Sequence, residues 1–196
     1  MPDLPTGRSA RVDVLLPGSL TATDGGVVST CSLVRDEGRQ IIVDPGMARS
    51  QRDILDPLEA LGVAPADVTE VVLSHHHPDH TINVALFPNA AVHDHWAIYR
   101  GADWEDSDAE GRALTASVGL IRVPGHSNED IALVAGTPDG LVVFTHLWCT
   151  ATYPVDDEVS PDLDALRKSR ARVLAIADVI VPGHGEPFRP SPETPR

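Results

Sequence analysis

The feature that most constrains this chain is the segment Ser74-His75-His76-His77-Pro78-Asp79-His80, which directly follows the apolar run at 71–73. Four of the nine histidines of the chain fall within six residues here. Because alternate side chains of an extended segment share a face, we expect His75 and His77 to point one way and His76 the other. Neutral imidazole is the commonest metal ligand in proteins, so this pattern predicts a metal site at the end of a buried strand.

Short apolar runs separated by glycine, proline or aspartate predict a chain in which strands outnumber helices. The expected strands are 12–16, 27–34, 41–43, 71–73, 90–92, 118–123, 131–135, 141–145 and 179–181, with turns at 24–26 and 136–140. Two of these strands end in further histidine turns, Pro124-Gly125-His126-Ser127 and Pro182-Gly183-His184-Gly185. The ends of buried strands are rigid positions on which a site can be built.

Two helices are predicted from spacing and capping. Ile54 and Leu58 fall at helical spacing, and Pro57 between them either kinks that helix or shortens it. The second helix is expected to begin at Ser160, with Pro161 in its first position and acidic residues following.

Length and charge limit the possible functions. A chain of 196 residues is expected to form one domain over 1–196, and its formal net charge of −14 makes a nucleic-acid partner unfavourable, because phosphate binding needs a basic surface. There is no apolar run near the ~18 residues of a membrane span, no secretory signal, and neither of the two cysteines lies in a CxxC pair. We therefore expect a cytoplasmic protein that acts on a small molecule; its oligomeric state stays open.

The histidine segment and its companion turns resemble the metallo-β-lactamase superfamily. His75-x-His77-x-Asp79-His80 matches the HxHxDH signature, and Asp44-Pro45-Gly46 resembles the early Asp-x-Gly turn. The turns at His126 and His184 match the later histidine motifs in family order. Near the C-terminus, 177–189 looks like the group of metallo-β-lactamase domain-containing protein 1. The resemblance implies an α/β fold, an αββα sandwich with the metal site at one sheet edge.

The resemblance also implies roles for individual residues. The first metal would be held by His75, His77 and His126, and the second by Asp79, His80 and His184. Asp44 would orient one of these ligands without binding the metal itself, unless it is simply a turn aspartate. Asp79 would also act in catalysis by orienting the nucleophile. The expected cofactor is zinc, one or two ions, with iron or manganese as alternatives.

The sequence departs from the family at one position. The superfamily usually carries a bridging aspartate after a strand such as 141–145, but this chain reads Phe144-Thr145-His146-Leu147. His146 is the nearest substitute, although an ungapped match puts Leu147 opposite the aspartate. His146 is therefore a candidate ligand of the second metal, and occupancy by a single metal is the competing interpretation.

The leading functional hypothesis is a metal-dependent hydrolase, in which a zinc-bound hydroxide attacks an ester, thioester, lactone, lactam or phosphodiester. An iron-dependent redox enzyme of the same fold and a metal-poor binding protein are the alternatives. Several other residues are expected to have no ligand role. They are His76, His93 and His95 as surface or hydrogen-bonded residues, Trp148 and Cys149 as packing or mouth residues, and 156–158 as a solvated loop.

Overall fold

A computed structural model describes residues 4–21 and 26–196. Its strands are β1 Arg11–Leu16, β2 Ser19–Leu20, β3 Val27–Val28, β4 Cys31–Asp36, β5 Arg39–Val43, β6 Glu70–Val72, β7 Ala91–His93, β8 Ala97–Arg100, β9 Asp103–Asp106, β10 Val118–Arg122, β11 Ile131–Thr137, β12 Gly140–Phe144 and β13 Val179–Val181. Its helices are α1 Arg52–Ala60, α2 Pro78–Thr81 and α3 Leu163–Leu174, with 3₁₀ turns at Pro65–Asp67 and Val84–Leu86. The predicted turn at 24–26 falls largely outside the described residues.

Two sheets form the body of the fold. Seven strands lie in the order β1-β4-β5-β6-β7-β8-β9, and four lie in the order β10-β11-β12-β13. Strands β5, β6 and β7 run parallel, as do β12 and β13, so the carboxyl ends of these strands meet at one edge. The hairpin predicted around 136–140 is present as the antiparallel pair β11 and β12.

Three apolar layers hold the sheets and helices together. Between the sheets, Val34, Ile41 and Val72 pack with Leu133 and Phe144. The outer face of the larger sheet is covered by α1, and the outer face of the smaller sheet by α3. This order of helix, sheet, sheet and helix confirms the predicted αββα sandwich.

The helices differ from the sequence prediction in their details. Pro57 lies inside α1, which stays short, with Ile54 and Leu58 buried beneath it. The expected start of the last helix at Ser160 was wrong: Asp162 is the N-cap and accepts hydrogen bonds from the backbone of Asp164 and Ala165. Ser160 Oγ instead donates to the Gly125 carbonyl at 2.6 Å, because tertiary contact with the His126 turn competes with capping.

Within residues 4–21 and 26–196, no helix is both long and apolar enough to cross a bilayer.

Gly46 is required by a close approach of two backbone segments. The Met47 amide donates to the Asp79 carbonyl at 2.7 Å, and a Cβ built on Gly46 would overlap that same carbonyl. The turn after β5 therefore packs directly on the segment that carries Asp79 and His80. Any side chain at position 46 would force these two segments apart.

We expect Gly46→Ala to lower the free energy of unfolding by about 3 kcal/mol, because overpacking against backbone cannot be relieved by a rotamer change. Gly185→Ala is the matched control, since its Cβ would come no closer than 3.4 Å to Thr150, an ordinary van der Waals contact. The control should change stability by less than about 1 kcal/mol. Urea unfolding measures both variants, and equal losses would contradict the proposed backbone clash.

Candidate metal centre

The predicted ligands come from strand ends at the same edge of the sandwich. Strand β6 leads into His75, and α2 carries Asp79 and His80. In the smaller sheet, the segments that follow β10, β12 and β13 carry the remaining histidines, His126, His146 and His184. All seven side chains that the sequence nominates as ligands belong to the clusters formed here.

The first predicted group is assembled as a compact set of imidazoles. The ligand atoms of His75, His77 and His126 all lie within 4.8 Å of one another. His77 Nδ1 and His126 Nε2 face each other at 3.0 Å, and His75 Nε2 is buried without a hydrogen-bond partner. Two nitrogens bound to one tetrahedral zinc at 2.0–2.1 Å would be about 3.3 Å apart, so this spacing fits a shared cation.

The second predicted group joins a carboxylate to two imidazoles. Asp79 Oδ2 lies 3.4 Å from His80 Nε2 and 3.4 Å from His184 Nε2. His80 Nε2 is buried and has no partner that meets hydrogen-bond geometry. A carboxylate oxygen equidistant from two ring nitrogens matches the spacing of three ligands around one metal.

His146 lies between the two groups. Its ring centroid is 4.1 Å from that of His126, 4.7 Å from those of His75 and His80, and 4.9 Å from that of His184. Leu147, which the ungapped match puts opposite the missing aspartate, is buried instead in the apolar layer under α3. His146 thus occupies the centre of the cluster, but a neutral imidazole has one free lone pair and cannot bridge two cations as a carboxylate does.

Cys149 adds a third type of donor, a thiol, which the sequence interpretation did not include among the ligands. Its sulfur lies within 4.8 Å of ligand atoms of His146 and His184. Burial, with Asp157 and Asp79 nearby, raises the pKa of its thiol to about 12, so without a metal the group is protonated. A cation at this position would stabilise the thiolate, since cysteine binds metals in its deprotonated form.

In four of the rings, those of His75, His80, His126 and His184, the nitrogen that points away from the cluster has a hydrogen-bond partner. Asp44 Oδ2 accepts from His80 Nδ1 at 2.9 Å and from Ser74 Oγ at 2.7 Å, and that same hydroxyl lies 3.0 Å from His75 Nδ1. His184 Nδ1 donates to the Val28 carbonyl at 2.9 Å. Such contacts fix the tautomer and orientation of a metal-binding imidazole. Asp44 thus contacts His80 directly and His75 through Ser74, and its role as an orienting group stays a prediction.

Asp157 makes a similar contact with His126, contrary to the expectation of a solvated loop. Its Oδ2 lies 2.6 Å from His126 Nδ1, and the side chain is buried. No local pattern distinguishes it from Asp156 or Glu158, which stay at the surface. The pairing depends on how the loop before α3 folds back over the His126 turn.

Electrostatics in the cluster favour the neutral form of His75, His146 and His184 but the charged form of His80. Burial, together with the other histidines, lowers the pKa of His75 and His146, and lowers that of His184 to about 4. Burial also opposes the charge of His80, but Asp44 and Asp79 outweigh it and raise its pKa to about 9. The positive charge that a proton supplies at His80 is one that a bound cation can supply in its place.

The histidines expected to have no ligand role lie outside the cluster. His76 stacks on Trp96 and pairs with Asp94, and so faces away from His75 and His77 as strand alternation predicts. His93 is buried against Glu70 at 2.6 Å. His95 is partly exposed. Trp148 packs in the core, with its indole N–H donating to the Pro195 carbonyl.

Sequence comparison agrees with this geometry. The profile of the metallo-beta-lactamase superfamily matches residues 24–185. The chain belongs to this superfamily. The human metallo-beta-lactamase domain-containing protein 1 is 40% identical over 158 residues, which cover 76% of this chain and 59% of the human protein. The chain therefore spans less than two thirds of that relative.

The chain is also similar to a hydrolase in part of its sequence and to a solved structure in its fold. A hydroxyacylglutathione hydrolase of Albidiferax ferrireducens is 32% identical over 113 residues, covering 55% of this chain and 42% of that protein. The crystal structure of a candidate metallo-β-lactamase from Thermotoga maritima superposes with a TM-score of 0.74 at 21% identity, covering 93% of this chain and all of that one. The superfamily includes hydrolases, and this chain carries its histidine and aspartate groups.

We expect Asp157→Asn to weaken metal binding about 10- to 100-fold, because loss of a carboxylate behind a ligand imidazole loosens its tautomer and orientation. The matched control is Asp156→Asn, since Asp156 is exposed and pairs with Arg167 instead. Zinc competition against a chromophoric chelator measures both affinities. An equal effect of the two substitutions would mean that Asp157 acts only through surface charge.

Proposed function

We propose that this protein is a metal-dependent hydrolase, most simply a zinc enzyme. His75, His77 and His126 would hold one ion, and Asp79, His80 and His184 a second. The observation that carries the proposal is that these two groups of three converge on one edge with buried ring nitrogens lacking partners. Imidazole with a single carboxylate is a donor set that suits zinc, and the same set also suits iron or manganese.

The chemistry available to the chain depends on this cation. When bound, zinc lowers the pKa of water from 15.7 to about 7 and polarises a carbonyl or phosphoryl oxygen. Asp79 is the residue of the chain best placed to assist, because it is partly exposed in the cavity over the cluster. Nearby His80 and His184 offset its burial and hold its pKa at about 2, so its carboxylate accepts a hydrogen bond from the attacking water and orients it.

The two metal positions are not equivalent. The first has all three expected imidazoles, whereas the second lacks the anionic bridge that normally reduces repulsion between two cations about 3.5–4 Å apart. His146 supplies a neutral ligand beside the second position, and Cys149 is the nearest group that can become anionic. We therefore propose that the second ion binds more weakly than the first.

We expect His77→Ala and His126→Ala each to lose most of the bound metal and the hydrolytic activity, since each removes one of three ligands from the tighter position. His95→Ala is the control, because His95 lies outside the cluster and is partly exposed. Elemental analysis, together with a panel of ester, lactam and phosphodiester substrates, provides the measurement.

A wild-type protein containing less than about a tenth of an equivalent of metal under replete conditions would overturn the zinc-enzyme proposal. Iron with a coloured, redox-active protein would favour the redox alternative instead. Loss of metal in His95→Ala equal to that in His77→Ala would contradict the ligand assignment.

Zinc titration of the wild-type protein should show two unequal steps. His146→Ala should weaken only the second step. His146 adjoins the group of Asp79, His80 and His184, and it is not one of the three proposed ligands of the first metal position. A second variant, Cys149→Ser, tests whether the thiolate binds metal. In the cobalt-substituted protein it should abolish a sulfur-to-metal charge-transfer band, whereas the same substitution at the fully buried Cys31 should not. Two equally tight steps that are insensitive to His146→Ala would refute the proposed difference between the sites.

A further inference from the structure

The cavity over the metal cluster has a largely apolar wall. It encloses about 350 Å³, and the apolar residues that border it are Leu20, Val27, Tyr153, Pro154 and Val159. Tyr153 is 56% exposed, Val159 is 64% exposed and Leu20 is 40% exposed. Single exposed apolar side chains are ordinary, but several that converge on one concave site indicate a ligand that covers them.

The charged groups of the cavity are all acidic apart from the histidines. Asp79, Asp157 and Glu158 border it, and none of the described lining residues is a lysine or arginine. A substrate with phosphate or carboxylate groups outside the reacting centre would face repulsion here with no cation of the chain to pair with it.

A buried guanidinium holds the backbone of one cavity wall in place. Arg170 is fully buried and donates to the carbonyls of Leu147, Pro154 and Val155. Its positive charge is thus directed at the backbone rather than at the cavity. The segment that carries Tyr153 and Pro154 is held in place before a ligand arrives, and a pre-formed apolar wall costs little ordering on binding.

We propose that this cavity selects uncharged carboxylic esters, open-chain or cyclic, with an apolar acyl chain lying against Leu20, Tyr153 and Val159. The proposal rests on the hydrolase function proposed above. In the reaction, water adds to the acyl carbon, the bond from that carbon to the alkoxy oxygen breaks, and the alkoxy oxygen takes a proton from the water. The products are a carboxylic acid and an alcohol, and no oxidant or second substrate is needed.

The test compares p-nitrophenyl acetate, butyrate and hexanoate on the zinc-loaded protein. Each methylene that contacts the apolar wall should raise kcat/KM about fourfold, which is about sixteenfold from acetate to butyrate. Bis(p-nitrophenyl) phosphate and the anionic thioester S-lactoylglutathione should be poorer substrates than the butyrate ester by at least about a hundredfold.

Two valines of the same loop provide matched variants. Val159 borders the cavity, whereas Val155 is 68% exposed and does not border it. Val159→Ser combined with Leu20→Ser should lower the hexanoate-to-acetate ratio at least about fivefold, while Val155→Ser should leave it unchanged. Because all three side chains are exposed, folding and metal content should stay at the wild-type level in every variant.

The outcomes separate this inference from the function on which it rests. Hydrolysis of the acetate ester with no dependence on chain length, or a preference for the phosphodiester or the glutathione thioester, would overturn the selectivity while leaving the hydrolase intact. A metal-loaded protein that hydrolyses none of these substrates would overturn the proposed function and the selectivity with it. An equal effect of Val155→Ser and of the combined Val159→Ser and Leu20→Ser change would show that the apolar wall is not the determinant.

Discussion

The carboxylate of Asp44 connects the larger sheet to the cluster of predicted metal ligands. It is buried at the end of β5 and accepts hydrogen bonds from the Ser74 amide, the Ser74 hydroxyl and His80 Nδ1. Through Ser74 it also sets the surroundings of His75. Its backbone adopts φ of +51°, a region that non-glycine residues rarely occupy, and such strain persists only where the surrounding contacts enforce it.

The remaining ligands depend on how the two sheets meet. The Ile131 amide donates to the Ser74 carbonyl at 2.8 Å, and the Thr30 amide donates to the Gly183 carbonyl at 2.8 Å. These backbone hydrogen bonds join the larger sheet to the strands and turns of the smaller one at the edge where the histidines lie. His126, His146 and His184 therefore approach His75 and His80 at distances fixed by main-chain contacts, which is the rigidity that a metal site needs.

The segment between β12 and α3 determines how the cluster faces solvent. Arg170 anchors its backbone, Asp157 orients His126 from within it, and Tyr153 and Val159 form one side of the cavity. Ligand orientation and substrate access are thus two results of the same folded segment. In this superfamily member the missing bridging aspartate coincides with this region, where His146 and Cys149 are the available donors.

The sequence by itself determined the features that depend on local pattern. Alternating and apolar runs located most strands, and the spacing of His75, His77, Asp79 and His80 together with the later turns indicated the superfamily and its αββα sandwich. Strands β8 and β9 were not predicted: β8 has only four residues, and β9 is exposed along its whole length with acidic residues at three of its four positions.

Only the tertiary structure decided how residues distant in the chain meet. It turned His146 rather than Leu147 toward the cluster, because Leu147 packs under α3 while the cluster receives the imidazole. It paired Asp157 with His126 across 31 positions and brought Cys149 beside His184. Periodicity records which face of an element is apolar, but the partner of a buried polar group is set by packing between elements that the local sequence does not encode.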